Sequence, residues 1–168
     1  MWFLAFAAHS QAPAKTPLAE QTVFSAEDNA TQRPVPIPKS VMQVLAKDDD
    51  VLGTLAFRRL AAEELPAEWF TASEIHLGAR AKADLIIMGT GPLRSANVNT
   101  FWIFRRTPGG YDCVLRAVTH TLKVLRMRSR GDRDILLMKA AAEKSHTARL
   151  KFNGRKYELH FDKWEPIR

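Results

Sequence analysis

Cysteine is nearly absent from this chain: Cys113 is the one example in 168 residues. An intrachain disulfide is therefore excluded, and so is a thiolate zinc site. The neighbours of Cys113 in YDCVLRAV are mostly apolar, which predicts a small buried hydrophobe rather than a catalytic thiol. Histidine is sparse as well. His9, His76, His120, His146 and His160 show neither HxH nor HExxH spacing. There is no GxSxG elbow, and the glycine-rich stretch at 89–91 is not followed by Gly-Lys-Ser/Thr. Asp84, Asp112, Asp132 and Asp134 are scattered over turns and strand starts. No catalytic residue, metal ligand or cofactor is assigned from motifs. Long apolar runs are missing too. Residues 2–8 are apolar but too short to span a bilayer, so no transmembrane segment is expected.

Acidic residues are scarce in one part of the chain. Residues 1–100 hold 9 Lys/Arg against 11 Asp/Glu, a net of −2, whereas residues 101–168 hold 16 against 7, a net of +9. A field of that sign attracts phosphates, anionic glycans, anionic lipids or an acidic protein face. Tyr157 and Trp164 lie near the basic residues, yet no RRM, KH or helix-turn-helix pattern accompanies them, which argues against nucleic acid.

The beginning of the chain, MWFLAFAAHSQAPAK, resembles the apolar part of a secretory signal with a small-residue cleavage site after Ala12, although a basic start is missing. It implies export to the periplasm or beyond. Between residues 13 and 38 stand five prolines, Pro13, Pro17, Pro34, Pro36 and Pro38, and RPVPIPK reads as extended chain. Residues 1–36 are thus expected to be signal remnant and linker, and residues 37–168 a single α+β domain.

PKSVMQVLAKDDD predicts a short helix with Pro38 in its first turn. The acidic run 48–50 suits the wrong end of that helix and is read as a solvated turn. LGTLAFRRLAAEELP is ambiguous between helix and strand. From Trp69 onward strands dominate: ADLIIMG is a buried-strand run, TPGG joins FWIFRR to YDCVLRAV, SRGDR turns the chain, and RLKF-NG-RKYELHF reads as a two-residue Asn-Gly hairpin. The expected architecture is an N-terminal helix or helices followed by an antiparallel β meander of about six to eight strands, as a curled sheet or a two-layer sandwich.

Residues 73–106, SEIHLGARAKADLIIMGTGPLRSANVNTFWIFRR, resemble the strand–loop–strand unit of FG-GAP (VCBS-like) repeats, with ADLIIMG matching the family's xDLxVxG strand. LGARAK lacks the family's calcium-binding Asp residues, so calcium is not carried over. More broadly the chain resembles small exported bacterial proteins of unassigned function, which implies export and a compact antiparallel fold and supplies no catalytic residues.

Two stretches stand out as candidate sites. The 89–100 loop is long for a hairpin, and Arg94, Ser95, Asn97 and Asn99 can offer hydrogen bonds to an anion or a glycan, with Trp102 on the strand that follows. Arg126, Arg128, Arg130 and Arg133 flank one turn, while Arg149, Lys151, Arg155 and Lys156 lie on the last hairpin; neighbouring strands would gather them into one basic face. The tripeptide RGD at 130–132 matches an adhesion motif but also makes a good turn. The leading expectation is an exported, non-enzymatic binding domain whose basic sheet face takes an anionic partner: an acidic protein, a glycan or an envelope polymer. The competing expectation is a hydrolase with its site at the 89–100 loop.

Overall fold

A computed structural model describes residues 19–79, 82–141 and 143–167. The signal-like segment and its cleavage site lie outside the described residues. Nine strands and two α-helices are found among the described residues. In chain order they are β1 (Val23–Ser25), α1 (Lys39–Leu45), α2 (Asp49–Arg58), β2 (Phe70–Ile75), β3 (Asp84–Gly89), β4 (Asn99–Thr107), β5 (Gly110–Thr119), β6 (Thr121–Ser129), β7 (Asp132–Ala141), β8 (Lys144–Phe152) and β9 (Tyr157–Pro166). All strand pairs are antiparallel. The expected meander is present as two meanders, a four-stranded sheet β2-β3-β4-β5 and a five-stranded sheet β1-β6-β7-β8-β9. The chain passes from one sheet to the other at His120, the single residue between β5 and β6.

The helices do not come first. β1 precedes them and pairs with β6, placing Val23 opposite Lys123. Phe24 and Ala26 are fully buried, and Thr31 donates from Oγ1 to the Ala72 carbonyl at 2.9 Å. Residues 19–36, expected as linker, therefore supply a strand and core side chains. Three residues beside a proline-rich stretch carry little local strand signal; pairing with residues about a hundred positions later makes the strand.

Three layers result. Between the sheets, Ile86, Met88, Phe101 and Ile103 meet Phe24, Leu122, Val124, Ile135 and Leu150. On the other face of the four-stranded sheet, Leu85, Ile87, Trp102 and Phe104 pack against Val41 and Leu45 of α1 and Val51 and Leu55 of α2. Both faces of β3 and β4 are thus covered, which is why their sequences are continuous apolar runs rather than alternating ones. β6 has one wet face and does alternate over Leu122, Lys123 and Val124. At the far edge β9 pairs with β8 alone, and every residue of β9 after Tyr157 is exposed.

The acidic run 48–50 opens a helix instead of closing one. Asp48 is the N-cap of α2, accepting from the Asp50 amide at 3.0 Å, and Asp49 and Asp50 occupy the first turn, where the helix dipole favours them. α2 then takes the ambiguous LGTLAFR stretch and ends at Arg59 in the left-handed region, φ 58°. The TPGG turn links β4 to β5 through Pro108 and Gly109. Between β6 and β7, Arg130 and Gly131 have φ of 54° and 85°, as a two-residue hairpin requires. The Asn-Gly hairpin is wider than expected: Phe152 pairs with Tyr157, leaving four residues in the loop. Asn153 causes this, because its Oδ1 accepts from the amides of Arg155 and Lys156 at 2.8 and 2.9 Å and so caps a longer turn.

Candidate binding grooves

The connection between β3 and β4 is folded onto itself. Residues 91–93 make a single 3₁₀ turn that begins at Gly91, φ 52°. Arg94 donates to Asn29 Oδ1 at 2.5 Å and to the Glu27 carbonyl at 2.9 Å. Ser95 Oγ donates to the Val98 carbonyl at 2.8 Å. Asn99 is buried as the first residue of β4; its Nδ2 donates to the Gly89 carbonyl at 2.7 Å and its Oδ1 accepts from the Thr100 amide at 2.9 Å. Asn97 is exposed. Asn99 therefore does not face outward as expected, because a strand start next to Gly89 needs its side chain for closure. Trp102 is also not brought to the loop. It lies in the helix-facing core, and its Nε1 donates to Asp48 Oδ2 at 2.9 Å.

α2 lies across from this loop, and the two enclose a groove of about 580 Å³. Its α2 wall includes Asp49, Gly53, Phe57 and Arg58, and its loop wall includes Leu93 and Val98. Two features of that wall are locally unfavourable. Phe57 is 85% exposed, on the side of α2 away from the buried Val51 and Leu55. Gly53 sits in the helix interior one turn earlier, where glycine costs about 1 kcal/mol relative to alanine. A Cβ at Gly53 would meet nothing within 4 Å, so packing does not require glycine there. The signal was available in LGTLAFRR: once the stretch is a helix, Phe57 falls off the stripe of Val51 and Leu55.

The amino end of α2 is anchored to the sheet. Arg116 of β5 donates from Nε to Asp48 Oδ2 at 2.7 Å and also pairs with Asp50. Burial alone would raise the Asp48 pKa, but the hydrogen bonds from Arg116 and Trp102 and the Arg116 charge outweigh it and hold the carboxyl below its ordinary value.

The basic residues are spread over distinct environments. Arg149 of β8 donates from Nε to the buried Asp134 at 2.9 Å and reaches Met127 Sδ. Lys151 is half-buried on the same strand, opposite Glu158 in register. Arg130 donates to the Asn153 carbonyl at 2.9 Å, tying two turns together. Arg133 is buried, and it fills an irregularity in β6 where the register with β7 jumps between Val124 and Arg128. Its Nε and Nη2 donate to the carbonyls of Leu125 and Val124 at 2.7 and 3.1 Å, and its Nη1 pairs with Glu20 at 2.6 Å. Arg126 and Arg128 are exposed on that irregular part of β6, and Arg128 donates to the carbonyl of Leu77, just beyond the end of β2, at 3.2 Å. Arg126 and Arg128 line one groove whose lining includes neither Arg149 nor Lys151, although Arg149 reaches Met127 between them.

Beside this stretch of β6 runs a second groove, about 790 Å³, with Ala19, Glu20 and Thr22 on one side and Lys123, Arg126 and Arg128 on the other. Lys123, absent from the sequence-derived set, belongs to it. Glu20 is its acidic residue, and that carboxylate is occupied. It accepts from the His76 amide at 2.5 Å and pairs with Arg133. Burial pushes the Glu20 pKa up, but the His76 hydrogen bonds and the Arg133 charge prevail, and the net shift is downward.

The remaining titratable groups serve the frame. Arg105, 5% exposed, pairs with Asp132 at 2.5 Å and lies 3.9 Å from the Phe152 ring centroid. Asp132 therefore points into the molecule, so the RGD tripeptide does not present its carboxylate. Asp84 accepts from the Arg106 amide at 2.9 Å, and Tyr157 Oη donates to the Arg133 carbonyl at 2.7 Å. Cys113 is exposed on β5, contrary to the buried position expected, because its strand faces water on that side; partial desolvation raises its pKa, which keeps it a thiol at neutral pH. No group of three or more His, Cys, Asp or Glu side chains able to hold a metal ion is found among the described residues. No helix among them is long and apolar enough to cross a membrane. Compared with protein-family models, with curated proteins and with solved structures, the chain matches none.

Proposed function

We propose that this chain is an exported binding domain that holds an anionic partner, a glycan or an acidic protein face, in the groove beside β6. One observation carries the reading. Lys123, Arg126 and Arg128 line a single groove, and the acidic residue within it, Glu20, is already committed to Arg133 and His76. Three cationic charges thus face the groove without a paired carboxylate among the described residues. Charges arranged in this way attract polyanions and favour charge-assisted hydrogen bonds with carboxylate or sulfate oxygens. Binding is favoured over hydrolysis at the 90–98 loop because Ser95 Oγ is spent on the Val98 carbonyl and the described lining of that groove holds no histidine or cysteine. Heparin is a suitable polyanion probe. Its affinity should fall as salt rises, and Lys123→Gln or Arg126→Gln should each weaken it by about 1 kcal/mol, roughly five-fold. Salt-independent binding, or variants that bind as the parent does, would refute the assignment.

A further inference from the structure

We propose that the groove between α2 and the 90–98 loop is a second, separate site that takes a short extended peptide with a basic residue, an apolar anchor and an acidic residue in that spatial order. Phe57 and Gly53 are one helical turn apart and both line this groove. The exposed ring offers a face for an apolar side chain, and the missing Cβ leaves the space for it beside Leu93 and Val98. The opposite wall is preformed: Leu93 N bonds to the Thr90 carbonyl at 3.1 Å, Ser95 to Val98, and Arg94 to Asn29. An occupant therefore meets a fixed surface, and little of its binding energy goes into ordering the loop.

Charge sets the polarity of the occupant. Asp49 stands at the amino end of α2 and Arg58 at its carboxyl end, both lining the groove and neither paired among the described residues. Nine residues of α-helix span about 14 Å. Four extended residues span about 13 Å. A tetrapeptide-sized segment thus fits between the two charges, its cation at Asp49 and its carboxylate at Arg58, with the apolar side chain over Gly53.

The test is selection of a phage-displayed random heptapeptide library on the full chain, followed by fluorescence anisotropy of synthetic peptides. Enriched peptides should carry an apolar residue flanked by one basic and one acidic residue. Phe57→Ser and Gly53→Leu should each weaken them at least about ten-fold, and the Asp49→Lys/Arg58→Glu double variant should prefer the charge-reversed peptide. Both single positions are solvent-facing, so folding of the variants is checked by an unchanged circular dichroism spectrum. Lys123→Gln should leave peptide affinity unchanged, which separates this site from the polyanion groove. No enrichment, enrichment without that charge pattern, or equal binding by the Phe57 and Gly53 variants would overturn the proposal. So would a concentration-dependent dimer lost in Phe57→Ser, which would make a second copy of the chain the occupant.

Discussion

Asp48 shows how much one side chain can hold. It caps α2 through the Asp50 amide, accepts the Trp102 indole N–H from the core of β4, and pairs with Arg116 on β5. Its pKa in the folded chain is depressed below the ordinary 3.8. The unfolded chain therefore binds the proton more tightly than the folded one, and the stabilisation is fully present above about pH 4 and is lost as pH falls through the lower folded value. Glu20, depressed below 4.5, acts in the same sense. Asp48→Asn keeps a good capping residue but loses the charge-assisted bonds, and Arg116 is partly screened by water. The variant should lose about 1–2 kcal/mol at pH 7, and the difference from the parent should shrink as pH is lowered below about 4, read from urea unfolding across that range. The cap and the acidic first turn are local features, misread in the sequence because three adjacent Asp residues also suit a turn. Trp102 and Arg116 lie more than fifty positions away, and a local pattern cannot report on them.

Among the elements, legibility followed how local the cause is. The turns at Pro108-Gly109 and Arg130-Gly131 were readable because proline and glycine mark them in the sequence. The Asn-Gly turn was placed correctly but given too few residues, since the Asn153 side chain competes with the tight hairpin. β3 and β4 were recognised as strands; the helical layer that covers their second face was not, and only that layer explains why they do not alternate. β1 had no local signature. The two glycines at opposite extremes make the contrast measurable. Gly53→Ala relieves a helix-interior penalty in open space and should add about 0.5–1 kcal/mol. Gly131→Ala forces a Cβ into φ +85° and should cost about 1 kcal/mol or more. Thermal unfolding monitored by circular dichroism should move the midpoint in opposite directions for the two.

At the scale of the molecule, the four-stranded sheet is a common wall between two apolar layers, so disturbance of either layer reaches β3 and β4. The excess of positive charge after residue 100 was plain in the sequence, but its distribution was not. Irregular pairing in β6 diverted Arg133 inward, buried Asp134 claimed Arg149, and Lys123, Arg126 and Arg128 were left facing a groove. Among the described residues, no helix covers the outer face of the five-stranded sheet, which stops at β9, held by β8 alone and presenting Leu159, Phe161 and Trp164 to water. One rail of its peptide groups has no strand to bond to among those residues. Local opening of β9 beyond the buried Tyr157 exposes little that was not already wet, whereas opening β7 uncovers Ile135. Amide deuterium exchange should therefore run from the carboxyl-terminal ribbon inward, with the hydrogen-bonded amides of β9 exchanging at least about a hundred-fold faster than those of β7. The strand that closes the chain is the first part of this architecture to let go.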